Sequence, residues 1–450
     1  MQFELTREFL DHLIDALEQQ NESLVLELVG ELHPADIAEI IAEISLNEVL
    51  ELIKYLPNDV VANALIELEE ETRRKILNAI PSSAIAQLLI GNLDSDDAAD
   101  MIAELPDDKR EEVIAQIEDI KQASDIVDLL NYDEDSAGGL MAKELVKVNI
   151  NWNVLKCIKE IRKQAVDIEN IYTVYVVDDH NKLLGTIPLK KIIISSDDKK
   201  VKDLYKPEVH SVNVHEKAEV VANLMEKYDL VVVPVVDDLN RLVGRITIDD
   251  IVDVIKEEAD KDYQMASGIS ESVESSDTAW VLTRARLPWL LVGMVGGILS
   301  SKIISNYEDQ IQLYPQMAFF IPLIAAMGGN VGVQSSAIVV QSLANKTVGL
   351  NSFWKKIFKE VIIGLINGII CSSIILAYNI LVDQDINIAI TVSIALISVI
   401  FFAGVFGTIV PLLLYKYKID PALATGPFIT TTNDIFGTFL YFFIGHLMYV

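Results

Sequence analysis

The chain has 450 residues, enough for about three domains. Its 67 acidic and 36 basic residues are unevenly placed: residues 284–450 hold seven and nine of them, leaving 60 and 27 in residues 1–283. A net charge of −33 over those 283 residues excludes non-specific nucleic-acid binding and favours cations, divalent ones most. The two cysteines, Cys157 and Cys371, lie in different domains, so no disulfide framework is expected, and no zinc-ligand spacing occurs. The polar, acidic start is wrong for a cleavable signal peptide, which places the first 283 residues in the cytoplasm as an expectation.

Residues 1–131 read as helices throughout. Apolar residues recur at three and four (Leu24, Leu28; Ile37, Ile40, Ile41, Ile44), the signal of amphipathic helices. Prolines recur at 34, 57, 81 and 106, each after His, Leu or Ile. Proline suits a helix's first turn and not its interior, so each should open a helix, and repeated short hairpins should stack into an all-α superhelix. Asp94, Asp96, Asp97 and Asp100 crowd one helix start. N-capping accounts for one or two aspartates there and not for four, so the run is also a candidate metal sensor.

Residues 132–258 hold a tandem repeat of another kind. Tyr175-Val-Val-Asp-Asp-His-Asn-Lys-Leu-Leu-Gly-Thr-Ile187 resembles Pro234-Val-Val-Asp-Asp-Leu-Asn-Arg-Leu-Val-Gly-Arg-Ile246, 59 residues on. Each copy reads strand, turn, strand, helix, with a helix before it. The repeat resembles a pair of CBS domains, an α+β fold expected over 132–200 and 201–258. The resemblance implies a regulatory module that often binds adenine nucleotides. Its ribose-contacting pattern survives in the second copy at Thr247 and Asp249, while the first has Lys190-Lys191 instead; ATP is therefore a possible ligand. Asp250, Asp253 and Glu257 follow at three and four spacing, one acidic helix face that a divalent ion would relieve. Residues 259–283 read as a connecting helix and a linker to an amphipathic helix bearing Trp280.

Five hydrophobic stretches complete the chain, about 287–304, 314–343, 357–381, 386–415 and 422–450. Most exceed the roughly 20 residues a spanning helix needs, which sets a five-helix transmembrane domain over 284–450. Arg284, Arg286, Lys346, Lys355, Lys356, Lys359, Lys416 and Lys418 fall on one side, and Glu308, Asp309, Asp383 and Asp385 on the other. That pattern puts the N-terminus inside and the C-terminus outside a cell (inner) membrane. Glu360 is expected to pair with Lys356 or Lys359. Asp420, before the fifth stretch, is expected at the cytoplasmic face.

Asp434 lies near the centre of the last stretch, where a carboxylate costs roughly 2.5–3.5 kcal/mol on insertion scales. Gly426-Pro427 and Thr430, Thr431, Thr432 and Asn433 precede it. The second stretch holds Pro322, Gly328, Gly329, Asn330 and Gln334. Paired interrupted spans point to a substrate site, here a cation path lined by these polar residues, although the glycines also suit close helix packing. The absence of a soft ligand near Asp434 argues against copper and zinc. Calcium prefers six to eight oxygens, whereas magnesium keeps its waters and is held by one or two carboxylates. A single Asp434 per chain suits magnesium, more so if two chains meet on a two-fold axis.

Together these parts resemble the MgtE family of magnesium channels, over nearly the whole chain. The motifs that carry it are Tyr132-Asp-Glu-Asp-Ser-Ala-Gly-Gly-Leu-Met141, Gly328-Gly-Asn-Val-Gly-Val-Gln-Ser335, and Asp420-Pro-Ala-Leu with Asp434 beyond. The resemblance implies a homodimer in a lipid bilayer, with Asp434 as the pore magnesium ligand. It implies cytoplasmic sensor ligands at Asp96, Asp100, Glu219, Glu226, Asp229, Asp250, Asp253, Glu258, Asp262 and Asp420; Lys261 replaces one acidic position. Rising cytoplasmic magnesium would bridge these carboxylates and close the pore. A carrier of Co2+ or Mn2+ is the neighbouring reading. A membrane-anchored nucleotide sensor without transport is the reading from another class, and it leaves Asp434 without a purpose. No nucleophile–base pair or phosphate loop suggests an enzyme.

Overall fold

The computed structural model describes residues 3–89, 91–166, 168, 170–271, 273, 277–344, 353–424 and 426–449, the side chains of 344, 353 and 424 excepted. Lys346, used above for orientation, lies outside them. The chain divides into two units, Met1–Lys256 and Glu257–Val450.

The first unit opens with ten short helices: α1 (Arg7–Glu18), α2 (Glu22–Val29), α3 (Pro34–Glu43), α4 (Leu46–Leu52), α5 (Asn58–Ile66), α6 (Glu70–Ala79), α7 (Ser82–Leu89), α8 (Ser95–Ala103), α9 (Asp107–Gln116) and α10 (Ile120–Leu129). The proline punctuation holds. Pro34 is the first residue of α3, Pro57 and Pro106 are the N-caps of α5 and α9, and Pro81 directly precedes α7. From α3 on, helices pack on their second neighbours, α3 on α5, α5 on α7 and α7 on α9, with α4 on α6 and α8 on α10 along the other layer. This is the stacking of a superhelix. Some of the few basic side chains close helix ends. Arg73 of α6 donates to the carbonyls of Ile66 (2.8 Å) and Leu68 (3.4 Å) at the end of α5. Lys109 of α9 donates to those of Leu77 (2.8 Å), Asn78 (3.0 Å) and Ile80 (2.6 Å) behind α6. Cations at these sites both satisfy orphan carbonyls and oppose the helix dipole.

Two small sheets of the same topology follow. One joins β1 (Lys147–Asn149), β2 (Val174–Val177) and β3 (Leu183–Ile187), with α11 (Val154–Gln164) after β1 and α12 (Leu189–Ile193) after β3. The other joins β4 (Val212–Asn213), β5 (Val232–Val236) and β6 (Leu242–Thr247), with α13 (Ala218–Tyr228) between β4 and β5. In each sheet the first pairing is parallel and the second antiparallel. The repeat symmetry continues across the seam. Asn181 and Asn240, 59 residues apart, both adopt the left-handed conformation (φ 63° and 61°), which asparagine tolerates. Asn181 donates its side-chain amide to Leu242 O (2.8 Å), and Asn240 donates its own to Leu183 O (3.4 Å). α14 (Ile248–Ala266) is a single helix that runs through the expected boundary at 258.

The second unit is helical: α15 (Ala279–Asn306), α16 (Glu308–Leu313), a 3-10 segment (Pro315–Phe320), α17 (Ile321–Ala344), α18 (Phe353–Leu381), α19 (Ile386–Lys416), another 3-10 turn (Pro421–Ala424) and α20 (Gly426–Tyr449). Among the described residues, four helices are long and apolar enough to cross a membrane: Ala279–Asn306, Pro315–Leu343, Trp354–Leu381 and Ile386–Lys416. α20, at 24 residues, is long enough, but its run Thr430–Asp434 makes it too polar to join them. α19 is the central helix, packed on α17, α18 and α20. Trp280 belongs to α15 itself, not to a separate amphipathic helix.

The expected interruptions fall at the helix starts: the second stretch changes from a 3-10 segment to α17 at Ile321–Pro322, and the fifth from a 3-10 turn to α20 at Gly426, whose φ is 51°, while Gly328–Gln334 leaves α17 unbroken. α17 and α20 are continuous helices. Pro322 and Pro427 each stand second in their helix, where a missing N–H costs nothing. The glycines serve packing. A Cβ at Gly328 would stand 3.1 Å from Val399, one at Gly329 3.1 Å from Thr430, and one at Gly332 would overlap Asn433. Gly407 of α19 lies against the backbone of Gly332. Small residues let three helix backbones approach where lipid provides no hydrophobic drive.

Candidate cation sites

In the first unit, the acidic start of α8 faces the start of α14. Asp96 is 8% exposed. Burial pushes its carboxyl well above the usual range, and the charges of Asp97, Asp250 and Asp94 add to that. Asp97 is pushed up to about 7 by burial and then by Asp250 and Asp100. Asp250 is raised in the same direction by burial, although it accepts hydrogen bonds from Thr247 Oγ1 (2.7 Å) and Thr247 N (3.1 Å). Asp100 stands at the exposed rim, in the field of Glu134 and Asp250. Four crowded carboxylates, each raised first by burial and then by like charge, make a ready seat for a hard cation.

Beside them, Asp94, Asp96 and Glu144 place one carboxylate oxygen each within 4.8 Å of one another, the one such group among the described residues. Much of this corner is already engaged by protein. Arg245, 8% exposed, donates to Asp94 Oδ2 at 3.0 Å and to the carbonyl of Glu144. Glu144 Oε2 accepts from Ser95 N (3.1 Å) and Ser95 Oγ (2.8 Å). Asp94, the N-cap residue of α8, makes no capping bond. The all-oxygen donor set fits Mg2+, Ca2+ or Mn2+ and no soft metal. Asp97 belongs to the acidic run noted in the sequence, whereas Glu144 and Arg245 were not singled out. Glu144 and Arg245 lie about 50 and 150 positions from Asp94, and only the fold joins them.

The other expected sensor residues are not gathered here. Glu219, Glu226 and Asp229 are exposed on or just after α13, where the Glu219 carbonyl accepts from Asn223 (2.7 Å). Asp253 is exposed on α14, and Asp249 beside it. Thr247, expected to meet a nucleotide, is buried with its hydroxyl committed to Asp250. Glu258, Asp262 and Asp420 belong to the second unit. Glu258 pairs with Lys261 at 3.2 Å, and Asp420 Oδ1 accepts from Ala422 N at 2.8 Å.

In the second unit, Asp434 sits half-buried on α20, with Oδ1 3.7 Å from where a Cβ on Gly329 would stand. Asn330 and Gln334, one turn apart on α17, are both exposed, and Gln341 continues the same face. Thr430 Oγ1 bonds back to Gly426 O (3.0 Å), Thr431 packs toward Gly296 of α15, and Thr432 is half-buried. Asn433 departs from the expected lining role: it is 1% exposed, turned into the α17 contact at Gly332, with neither side-chain polar atom bonded to protein. The carbonyls of Thr430–Asn433 lie within a continuous helix and are not free to receive a hydrated ion. Glu360 also departs. It accepts from Ser335 Oγ (2.5 Å) and, among the described residues, pairs with no lysine, while Lys356 donates to Ser342 Oγ (2.5 Å). A serine on the neighbouring helix, 25 residues away, was invisible to a reading by sequence spacing.

The family model described as a divalent cation transporter matches residues 321–444, that of the MgtE intracellular N domain matches 32–135, and that of the CBS domain matches 137–197 and 201–257. The chain is 34% identical over 415 residues to a Bacillus subtilis protein named magnesium transporter MgtE, covering 92% of each. It is 30% identical over 441 residues to the Thermus thermophilus protein of that name, covering 97% of each. A crystal structure of the cytosolic domain of the Mg2+ channel MgtE in complex with ATP is similar at 31% identity and a TM-score of 0.51, over 54% of this chain and 99% of that one. With three family models in order along the chain and full-length relatives at these identities, this protein belongs to the MgtE family of divalent cation transporters.

Proposed function

We propose that the protein is a Mg2+-selective channel or transporter of the cell membrane, closed from the cytoplasm by Mg2+ itself. Its membrane part has five spans, α20 being the fifth, with the N-terminus inside and the C-terminus outside. Two copies assemble so that α17 and α20 of each line one path, and Asp434 of each holds the partly hydrated ion. The observation that carries this reading is the polar face left open on α17 and α20: Asn330, Gln334 and half-buried Asp434 on helices otherwise fit for lipid. Uncovered polar groups of this kind are costly in hydrocarbon, so they require a second copy and water.

Closure acts through the cytoplasmic carboxylates. Ions binding at Asp96, Asp97, Asp100 and Asp250 favour the state in which α8 and α14 lie together. Glu219, Glu226, Asp229, Asp253, Glu258, Asp262 and Asp420 are further ligands between domains or copies. A ligand shifts such an equilibrium only by its preference for one state, and here the preference comes from neutralising crowded charge. ATP belongs to the proposal as a ligand of the CBS pair, supported by the relative whose cytosolic domain carries it. The experiment is Mg2+ uptake into proteoliposomes. Asp434→Ala is expected to abolish saturable uptake while the protein still reconstitutes, and undiminished uptake would remove the proposed path. Competition by Mn2+ and Co2+ in the same assay sets the selectivity.

A further inference from the structure

Where α14 ends and α15 begins, the second unit holds a half-open apolar cavity of about 250 Å³. Its walls are Met265 and Ile269 on one side, Pro288, Trp289 and Val292 of α15 on another, and Leu423 on a third. Ser270, which also lines it, donates its N–H to Ala285 O (2.9 Å). Only 6% of α15's apolar window is buried, so the outer surface of this helix is left to lipid. Two arginines stand before the cavity on α15. Arg284 is taken by Glu271 at 2.7 Å, whereas among the described residues Arg286 pairs with no carboxylate. Six residues of helix separate Arg286 from Val292, about 9 Å of rise, close to the distance between a phosphate group and the first segment of its acyl chain. Tryptophan at this depth is typical of a membrane interface.

We propose that this cavity takes the acyl chain of an anionic phospholipid whose headgroup rests on Arg286. The apolar walls accept the chain and the unpaired guanidinium selects the charge. The site also has a mechanical position. Just beside it, Gly268 packs against Pro427, and Gly426 (φ 51°) lies so close to the carbonyl of Ala266 that a Cβ would overlap it. A chain in the cavity therefore braces the end of α14 against α15, next to the start of the helix that bears Asp434.

The test reads binding and is independent of transport. In the full chain in nanodiscs, Trp152, Trp280 and Trp354 are replaced by Phe, leaving Trp289 as the fluorophore. Brominated-chain phosphatidylglycerol and phosphatidylcholine are then titrated. The expected result is quenching of Trp289 by the anionic lipid at a severalfold lower mole fraction, a preference lost in Arg286→Gln, with quenching by both lipids reduced when Val292→Phe fills the cavity. A variant retaining only Trp354, 77% exposed on α18, should show no headgroup preference. Equal quenching by both lipids would overturn the proposal, as would a preference that survives Arg286→Gln. Quenching untouched by a folded Val292→Phe would overturn it too, as would no quenching because a second copy of the chain covers the site.

Discussion

Asp97 holds its proton to about pH 7, against an ordinary value of 3.8, because burial and Asp250 oppose its charge. Between those two values the folded chain binds more protons than the unfolded chain. Stability therefore falls as pH rises from about 4 to about 7, and it stays low above that. A bound divalent ion would cancel this loss. We expect amide exchange in α8, corrected for intrinsic rates, to be faster at pH 8 than at pH 6 without divalent ions. Millimolar Mg2+ should remove most of the difference, and Asp97→Asn should flatten it; an α8 indifferent to pH would contradict the charge crowding. Arg245 is the protein's own cation in the same corner. Arg245→Gln should cost about 2 kcal/mol without Mg2+, less than the 3–5 of a fully buried pair because Asp94 is 41% exposed. Denaturation with and without Mg2+ measures this, and the ion should recover part of the loss.

At the scale of elements, the contact between α17 and α20 depends on glycine. Gly332→Val would drive a methyl into Asn433 and Ile429, an overpacking that typically costs 1–3 kcal/mol. Thermal stability in detergent should drop and Mg2+ uptake with it, and Asn433→Ala beside it should restore part of both. This contact also shows what was legible in the sequence. The prolines at 34, 57, 81 and 106 announced helix starts because their effect is local, and the 59-residue repeat announced two like sheets because it appears twice. The glycines of α17 were misleading as breaks, whereas Gly426-Pro427 marks the start of α20. The same residues break a helix in its interior and are harmless in its first turn or at a close crossing, and only the packing partners decide. The cation cap at Lys109, and the exchange between Asn181 and Asn240, join residues far apart in sequence and could not be foreseen. Asp96, Asp100, Asp250 and Asp434 were legible as carboxylates in places that need a reason. Glu144 and Arg245, which complete the first of those places, were not.

At the scale of the whole molecule, residues 1–283 bring 60 carboxylates to a chain whose membrane part has one carboxylate near mid-span, Asp434. In the proposed function the same ion is cargo at one end and signal at the other, and the two roles separate by residue. Changes at Asp434 should abolish flux at every Mg2+ concentration. Changes at Asp97 or Asp250 should leave flux intact and weaken its inhibition. The most direct measurement is current through purified protein in a planar bilayer, with Mg2+ as the only cation and its cytoplasmic concentration stepped upward. The account predicts openings at low cytoplasmic Mg2+ that cease as it rises through the millimolar range, with closure shifted to higher concentration in Asp97→Asn. Currents indifferent to cytoplasmic Mg2+ would contradict the role given to the acidic cluster, and the absence of any Mg2+ current would contradict the path at Asp434.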